Sequence, residues 1–227
     1  MGYLFEQCQV SGHNVAMATK TAIKSVKKAP RTSYHHGNLQ AELSAGAIKI
    51  VRNQGPENFS LRSLATAIGV SPSAVYHYFP DKDSLITNLC DQLFAEMAQM
   101  QADAIAMIPG KSAKAARARF RAIGRVYFEW AAREPHLFRM MFSGHSHRSG
   151  EASRSPESND AYITLQSSLD ELLNLGLLNP KVRPYGELIA WSAVHGAASL
   201  ILEGALAEES FEALLDGLET ALFVAKR

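Results

Sequence analysis

The stretch from Glu57 to Leu85 constrains this chain more than any other part of it. Leu61, Leu64, Ala65 and Ile68 recur at the i, i+3, i+4, i+7 spacing of one helix face, and Ser60 stands where an N-cap is needed. Gly69 follows, a residue that reverses the chain through positive φ at little cost. Ser71 then offers a second N-cap and Pro72 a first helical position where a missing N–H does no harm. Pro80 ends that second helix near Phe79, because the residue before a proline is pushed out of the helical region. Two short helices joined by a turn of three to four residues containing glycine form a helix-turn-helix, whose second helix enters a major groove.

Within the second helix, Val75 and Phe79 lie four residues apart and pack inward, leaving Ser73, Ala74, Tyr76, His77 and Tyr78 around the remaining surface. Small residues at its start let the helix end approach base edges, and the hydroxyl and imidazole groups behind them bond phosphates or bases. Asp81 caps a third helix, and Lys82 at its start is placed to meet a phosphate. From Tyr34 to about Leu93 the chain resembles the DNA-binding domain of the TetR family of transcriptional regulators. The likeness lies in Leu61-Arg62-Ser63-Leu64-Ala65, the turn Gly69-Val70-Ser71, and the run from Val75 to Lys82. The resemblance implies a two-fold dimer on a palindromic operator of double-stranded DNA, an N-terminal reading unit and a C-terminal ligand-binding core. Carried over by position, Arg62, Pro72, Ser73, Ala74, Tyr76, His77, Tyr78 and Lys82 are similar to the family's DNA-contacting set. Ala74 can read a base only through apolar contact, for instance with a thymine methyl.

The expected fold class is all-α: an N-terminal three-helix helix-turn-helix domain followed by a C-terminal helical bundle for effector binding and dimerisation. The expected divisions are a basic arm over 1–33, the DNA-binding domain over 34–81 and the effector and dimerisation domain over 82–227. Among residues 1–90 nine Lys and Arg stand against five Asp and Glu, a net +4. Residues 91–227 carry fourteen against seventeen, a net −3, so nucleic acid would meet the N-terminal part. Between Glu6 and Glu42 no acid occurs, whereas Lys20, Lys24, Lys27, Lys28 and Arg31 do. That arm can neutralise phosphates, and a solvated tail fits it as well. Met17 offers an alternative start. Cys8 and Cys90 are too far apart in sequence for metal-ligand spacing, and no apolar run approaches a membrane span. A cytoplasmic protein with no membrane partner is the expectation.

The first helix should run from about Asn38 to Asn53, with Leu39, Leu43, Ala47, Ile50 and Val51 as its stripe and Gly55-Pro56 as its end. Tyr34, His35 and His36 ahead of it lie, by the resemblance, near the DNA backbone. A long helix from Lys82 to Ile108 outlasts the reading unit and can transmit movement, and Cys90 shares its apolar face. Over 111–134 Phe120, Ile123, Tyr127 and Trp130 form one stripe, while Lys114, Arg117, Arg121 and Arg125 form a solvated or salt-bridged one. Pro135 restarts a short helix apolar nearly all round, through Leu137, Phe138, Met140, Met141 and Phe142. Ser143 to Asn159 reads as a loop. A helix over 160–178 and two more, Pro184 to about Ala207 and Phe211 to about Val224, complete the chain. Gly196, Ala197, Ala198, Gly204 and Ala205 allow close helix approach and suit a four-helix dimer interface.

Trp191, His195 and Gly196 resemble the Trp-His-Gly signature of one class of C-terminal domain in TetR-like regulators. Core packing with a hydrogen-bonded His195 is the default for that pair. Tyr127, Trp130, Phe138, Met141, Trp191 and His195 are the candidate effector contacts, and Phe142 joins the aromatic set that would favour an apolar or aromatic effector. His136, His145 and His147 come without the cysteine or carboxylate pattern of a metal site, so neither metal nor cofactor is expected. The leading function is a homodimeric, ligand-responsive transcription factor, most simply a repressor. A helical binding module without DNA affinity is the alternative. An enzyme is disfavoured, because paired carboxylates, a nucleophile elbow, a phosphate loop and HExxH are all missing from the sequence.

Overall fold

A computed structural model describes residues 39–143 and 160–224. The expectations for the basic arm, for Tyr34, His35 and His36, and for most of the 143–159 loop with His145 and His147, lie outside the described residues. Nine α-helices and no β-strand occur among the described residues: α1 (Leu39–Gln54), α2 (Leu61–Ile68), α3 (Pro72–Tyr78), α4 (Lys82–Ala106), α5 (Ala113–Arg133), α6 (Pro135–Phe142), α7 (Asp160–Asn174), α8 (Gly186–Leu202) and α9 (Ser210–Leu222).

The first three helices form where local chemistry asks for them. Leu39, Leu43, Ala47 and Val51 of α1 are buried, and an added Cβ at Gly46 would collide with Ile68, so the glycine brings α1 close onto α2. Ser60 accepts from the Ser63 amide while the Ser63 hydroxyl takes the Ser60 amide, a reciprocal cap. At the far end Gly69 stands at φ +80°, and its N–H and that of Val70 reach back to Ala65. Ser71 caps α3 through the Ala74 amide, and Phe79 leaves the helical region in an extended conformation ahead of Pro80. Asp81 accepts from the Ser84 amide at 2.7 Å and so starts α4.

The C-terminal body packs α4 against α5 and α7, α5 against α7 and α8, and α8 against α9. Apolar stripes account for most of this, with Leu93, Met97, Phe120, Ile123, Leu169 and Leu172 all buried. Arginines tie the helices where apolar contact ends. Arg119, itself buried, donates to both Glu171 oxygens on α7 and to the carbonyls of Ile108 and Gly110, which pins the α4–α5 turn. Along α5 the basic stripe meets carboxylates of α9: Arg121 reaches Glu212 and Asp216, and Arg125 chelates Glu212. Thus the stripe is a salt-bridged face. Glu212 is held down to about 2 by its bonds to Arg125 and Arg121.

Helix α8 departs from the expected span at both ends. Pro184 sits in a tight 3-10 turn, Arg183–Tyr185, and the α-helix starts only at Gly186. Its other end comes at Leu202, where Gly204 takes φ +72° and the amides of Ala205 and Leu206 fold back to the Leu200 carbonyl. Gly204 and Ala205 therefore lie past the helix, and Ala197 and Ala198 face the core instead of a partner. Of the five small residues expected at an interface, Gly196 is the one within α8 that opens onto free space, as Gly217 of α9 also does, while Gly204 and Ala205 are exposed beyond the helix end.

Candidate nucleic-acid interface and effector site

Helix α3 stands on the surface with only Val75 of its seven residues buried. Arg62 on α2 is exposed, as are Pro72, Ser73, Tyr76 and His77, while Ala74 and Tyr78 are half-buried. Helices α2 and α3 pack together, and Leu64, Ala65, Val75 and Phe79 are part of the buried core, with Ala74 and Tyr78 partly packed against it. The Ser73 hydroxyl lies 3.0 Å from that of Ser71, and the rings of His77 and Tyr78 meet edge to face at 5.2 Å. Tyr76 is 45% exposed.

Lys82 differs from its sequence reading in one respect. Its ammonium donates to the Pro56 carbonyl at 2.9 Å and lies 5.7 Å from the Phe59 ring centre, so it braces the α1–α2 loop against α4. An ammonium carries three donors, so this brace leaves two for a phosphate.

The candidate effector residues divide in two. Tyr127, Phe138, Trp191 and His195 come together, with the Tyr127 hydroxyl 2.8 Å from His195 Nδ1. The imidazole lies 5.2 Å from Phe138, 4.4 Å from Phe142 and 6.3 Å from Trp191, ring centre to ring centre. Tyr162 of α7 adds an edge contact to Trp191 at 6.5 Å, and Phe94 of α4 adds one to Phe142 at 6.0 Å. Burial pushes the Tyr127 hydroxyl upward and the His195 imidazole downward, so both groups are neutral at ordinary pH. Trp130, also a candidate, is fully buried and takes no part in these ring contacts, and Met141 is buried on α6. Tyr162 and Phe94 are members outside the candidate effector set; Tyr162 stands three and seven residues before the buried Leu165 and Leu169, so helical spacing puts it on their face.

A helix-turn-helix set on a helical body with a part-open aromatic cluster defines a class of two-domain DNA-reading regulators, and related sequences and structures agree. The family profile described as bacterial regulatory proteins of the tetR family matches residues 43–89, and the profile described as tetracyclin repressor-like, C-terminal domain, matches residues 120–218. The chain therefore belongs to the TetR family, whose members are transcription regulators. The HTH-type transcriptional regulator YvaF of Bacillus subtilis (strain 168) is 29% identical over 65 residues, covering 29% of this chain and 34% of that protein. The chain thus matches about a third of that relative's length. A protein of unknown function from Rhodococcus sp. RHA1 is similar at TM-score 0.71 and 28% identity over 85% of this chain and 99% of its own. A TetR family transcription regulator from Marinobacter aquaeolei VT8 is similar at TM-score 0.59 and 20% identity, over 83% of this chain and 97% of its own. At that identity it speaks for the fold alone.

Proposed function

We propose that this regulator binds a palindromic operator as a homodimer and acts as a repressor that a small apolar or aromatic effector releases. Residues 34–81 would read the DNA and residues 82–227 would bind the effector and dimerise, in the cytoplasm. The observation that carries the DNA reading is the exposed N-terminal half of α3, capped by Ser71 and flanked by Arg62, Tyr76 and His77. Arg62 and Lys82 would position the helix on phosphates, while Ser73, Ala74 and His77 would face base edges. Dimerisation is supported by an uncovered apolar face along α8 and the turn before it, where Tyr185 is 61%, Leu188 60% and Leu200 44% exposed. The facing side of α9 is small and uncharged, with Ala213, Gly217 and Ala221 exposed. The effector would enter the cluster around His195, whose neutral imidazole and rings suit an uncharged aromatic surface.

Two recognition helices must sit about 34–36 Å apart, or a multiple of that, to enter successive major grooves. An effector that changes this spacing releases the DNA, and by linkage the DNA weakens the effector by the same factor. The test is a gel-shift titration against fragments from the neighbouring genomic region and against selected random DNA, at several salt concentrations. Salt-sensitive binding to one sequence, lost in Arg62→Ala and Tyr76→Ala, is the expected result. Binding to no sequence, with aromatic compounds still retained, would leave a helical ligand-binding module instead.

A further inference from the structure

Two polar side chains lie in the apolar core of the C-terminal body with no protein group to satisfy them. Gln101 of α4 is 3% and Ser168 of α7 6% exposed, and neither Gln101 Oε1 nor Ser168 Oγ has a hydrogen-bond partner among the described residues. The Gln101 amide is oriented by its other end, where Nε2 donates to the Ile123 carbonyl of α5 at 3.4 Å. Turning the amide over would set oxygen against oxygen, so the unpaired atom is the acceptor. Ser168 differs from its neighbours Thr164 and Ser167, whose hydroxyls donate to the carbonyls four residues back. A buried polar atom left unpaired costs stability, so two in one core point to a group that they bind. We infer that Gln101 and Ser168 form the polar end of the effector site, holding a neutral hydroxyl that donates to Gln101 Oε1 and accepts from Ser168 Oγ. This rests on the effector reading above.

The packing sets both groups at one level of the bundle, beyond the aromatic cluster. Arg119 ties Glu171 of α7 to the Ile108 and Gly110 carbonyls past the end of α4. At the other end Tyr162 of α7 and Phe94 of α4 both reach the cluster, through Trp191 and Phe142. Helices α4 and α7 therefore run in the same direction. Gln101 stands seven residues past Phe94 and Ser168 six past Tyr162, which puts both about 9–10 Å beyond the cluster. Seven residues is close to two full turns, so Gln101 also shares the Phe94 side of α4. On α5, which runs the other way, Ile123 lies four residues or about 6 Å from Tyr127. An aromatic molecule of two fused rings covers much of that interval, with its rings among Phe138, Phe142 and His195 and its substituent at Gln101. The chemistry of this level asks for a neutral group. Arg119, one turn from Ile123, has its donors committed to Glu171 and the two carbonyls, so an anion would find no free cation there. An ammonium would bring an unpaired charge into the core, whereas one hydroxyl satisfies both orphan atoms.

The experiment uses the full chain and two probes of one shape, 2-naphthol and 2-methylnaphthalene, titrated by calorimetry into the parent, Gln101→Met and Ser168→Ala. The parent should bind 2-naphthol at least about tenfold tighter than its methyl analogue, which leaves Gln101 unpaired. Gln101→Met should bring the two probes within about twofold of each other while holding 2-methylnaphthalene at least as tightly as the parent does. Ser168→Ala should lose part of the preference. Without a probe, the melting temperature of Gln101→Met should stay level or rise by about 2 °C, because an apolar side chain of similar length replaces an unpaired polar one. An unchanged preference in both variants would overturn the inference. So would a Gln101→Met melting temperature lowered by more than about 4 °C, since the two atoms would then be holding a structural water. A parent that binds both probes equally also overturns it, and leaves the aromatic effector site standing. A parent that takes up neither sinks that site itself, which keeps the two failures apart.

Discussion

If two copies pair through the α8 face as proposed, replacing Leu188 and Leu200 together by serine should leave a monomer at micromolar concentration. Leu188 is 60% and Leu200 44% exposed in the single chain. Fully burying a leucine is worth ~2 kcal/mol, so covering those fractions contributes ~1.2 and ~0.9 kcal/mol per copy. A two-fold interface uses each residue twice, which brings the loss to ~4 kcal/mol and the dimer dissociation constant up by roughly a thousandfold. Sedimentation velocity over a dilution series measures the shift, and circular dichroism checks that helix content is kept. Operator binding should become weaker and more steeply dependent on protein concentration in parallel. A dissociation constant raised less than about tenfold, with the fold intact, would refute the assignment of the α8 face to a second copy.

Gly69→Ala probes strain alone, because an added Cβ there meets nothing within 4 Å while φ stays at +80°. It should cost ~1 kcal/mol, or roughly 2–4 °C in melting temperature for a chain of this size, and a much larger drop would reveal a contact that the glycine provides. The Glu212 carboxylate, bonded to Arg125 and Arg121 and held down to about 2, supplies stability that is complete above its unfolded pKa and is lost as pH falls from about 4.5 toward 2. Since half of its side chain is exposed, the loss is modest. Urea titrations across that range should show it in the parent and a flatter profile in Glu212→Gln; equal slopes would count against the α5–α9 network.

The reading unit could be read from the sequence nearly residue by residue, for a physical reason. Ser60, Gly69, Ser71, Pro72, Pro80 and Asp81 act on backbone groups within four positions of themselves, so their effect is already written in the local order of residues. Apolar spacing did the same for the helices of the body, since 3.6-residue periodicity reports which face is inward wherever the partner lies. Partners across the fold were another matter. That Arg121 and Arg125 meet Glu212, that Lys82 turns to the Pro56 carbonyl and that His195 meets Tyr127 depends on how helices far apart in sequence cross. Helix α8 shows the limit from the other side. Its composition reads as helical well past Leu202, and only the fold-back of Ala205 and Leu206 onto the Leu200 carbonyl closes it. The sequence by itself thus determined a helix-turn-helix on an all-helical body, because caps, turns and stripes are short-range. The tertiary structure alone decided which charges are paired, which rings surround His195 and that Gln101 reaches the Ile123 carbonyl, because each of these is a meeting of surfaces whose positions no local rule contains.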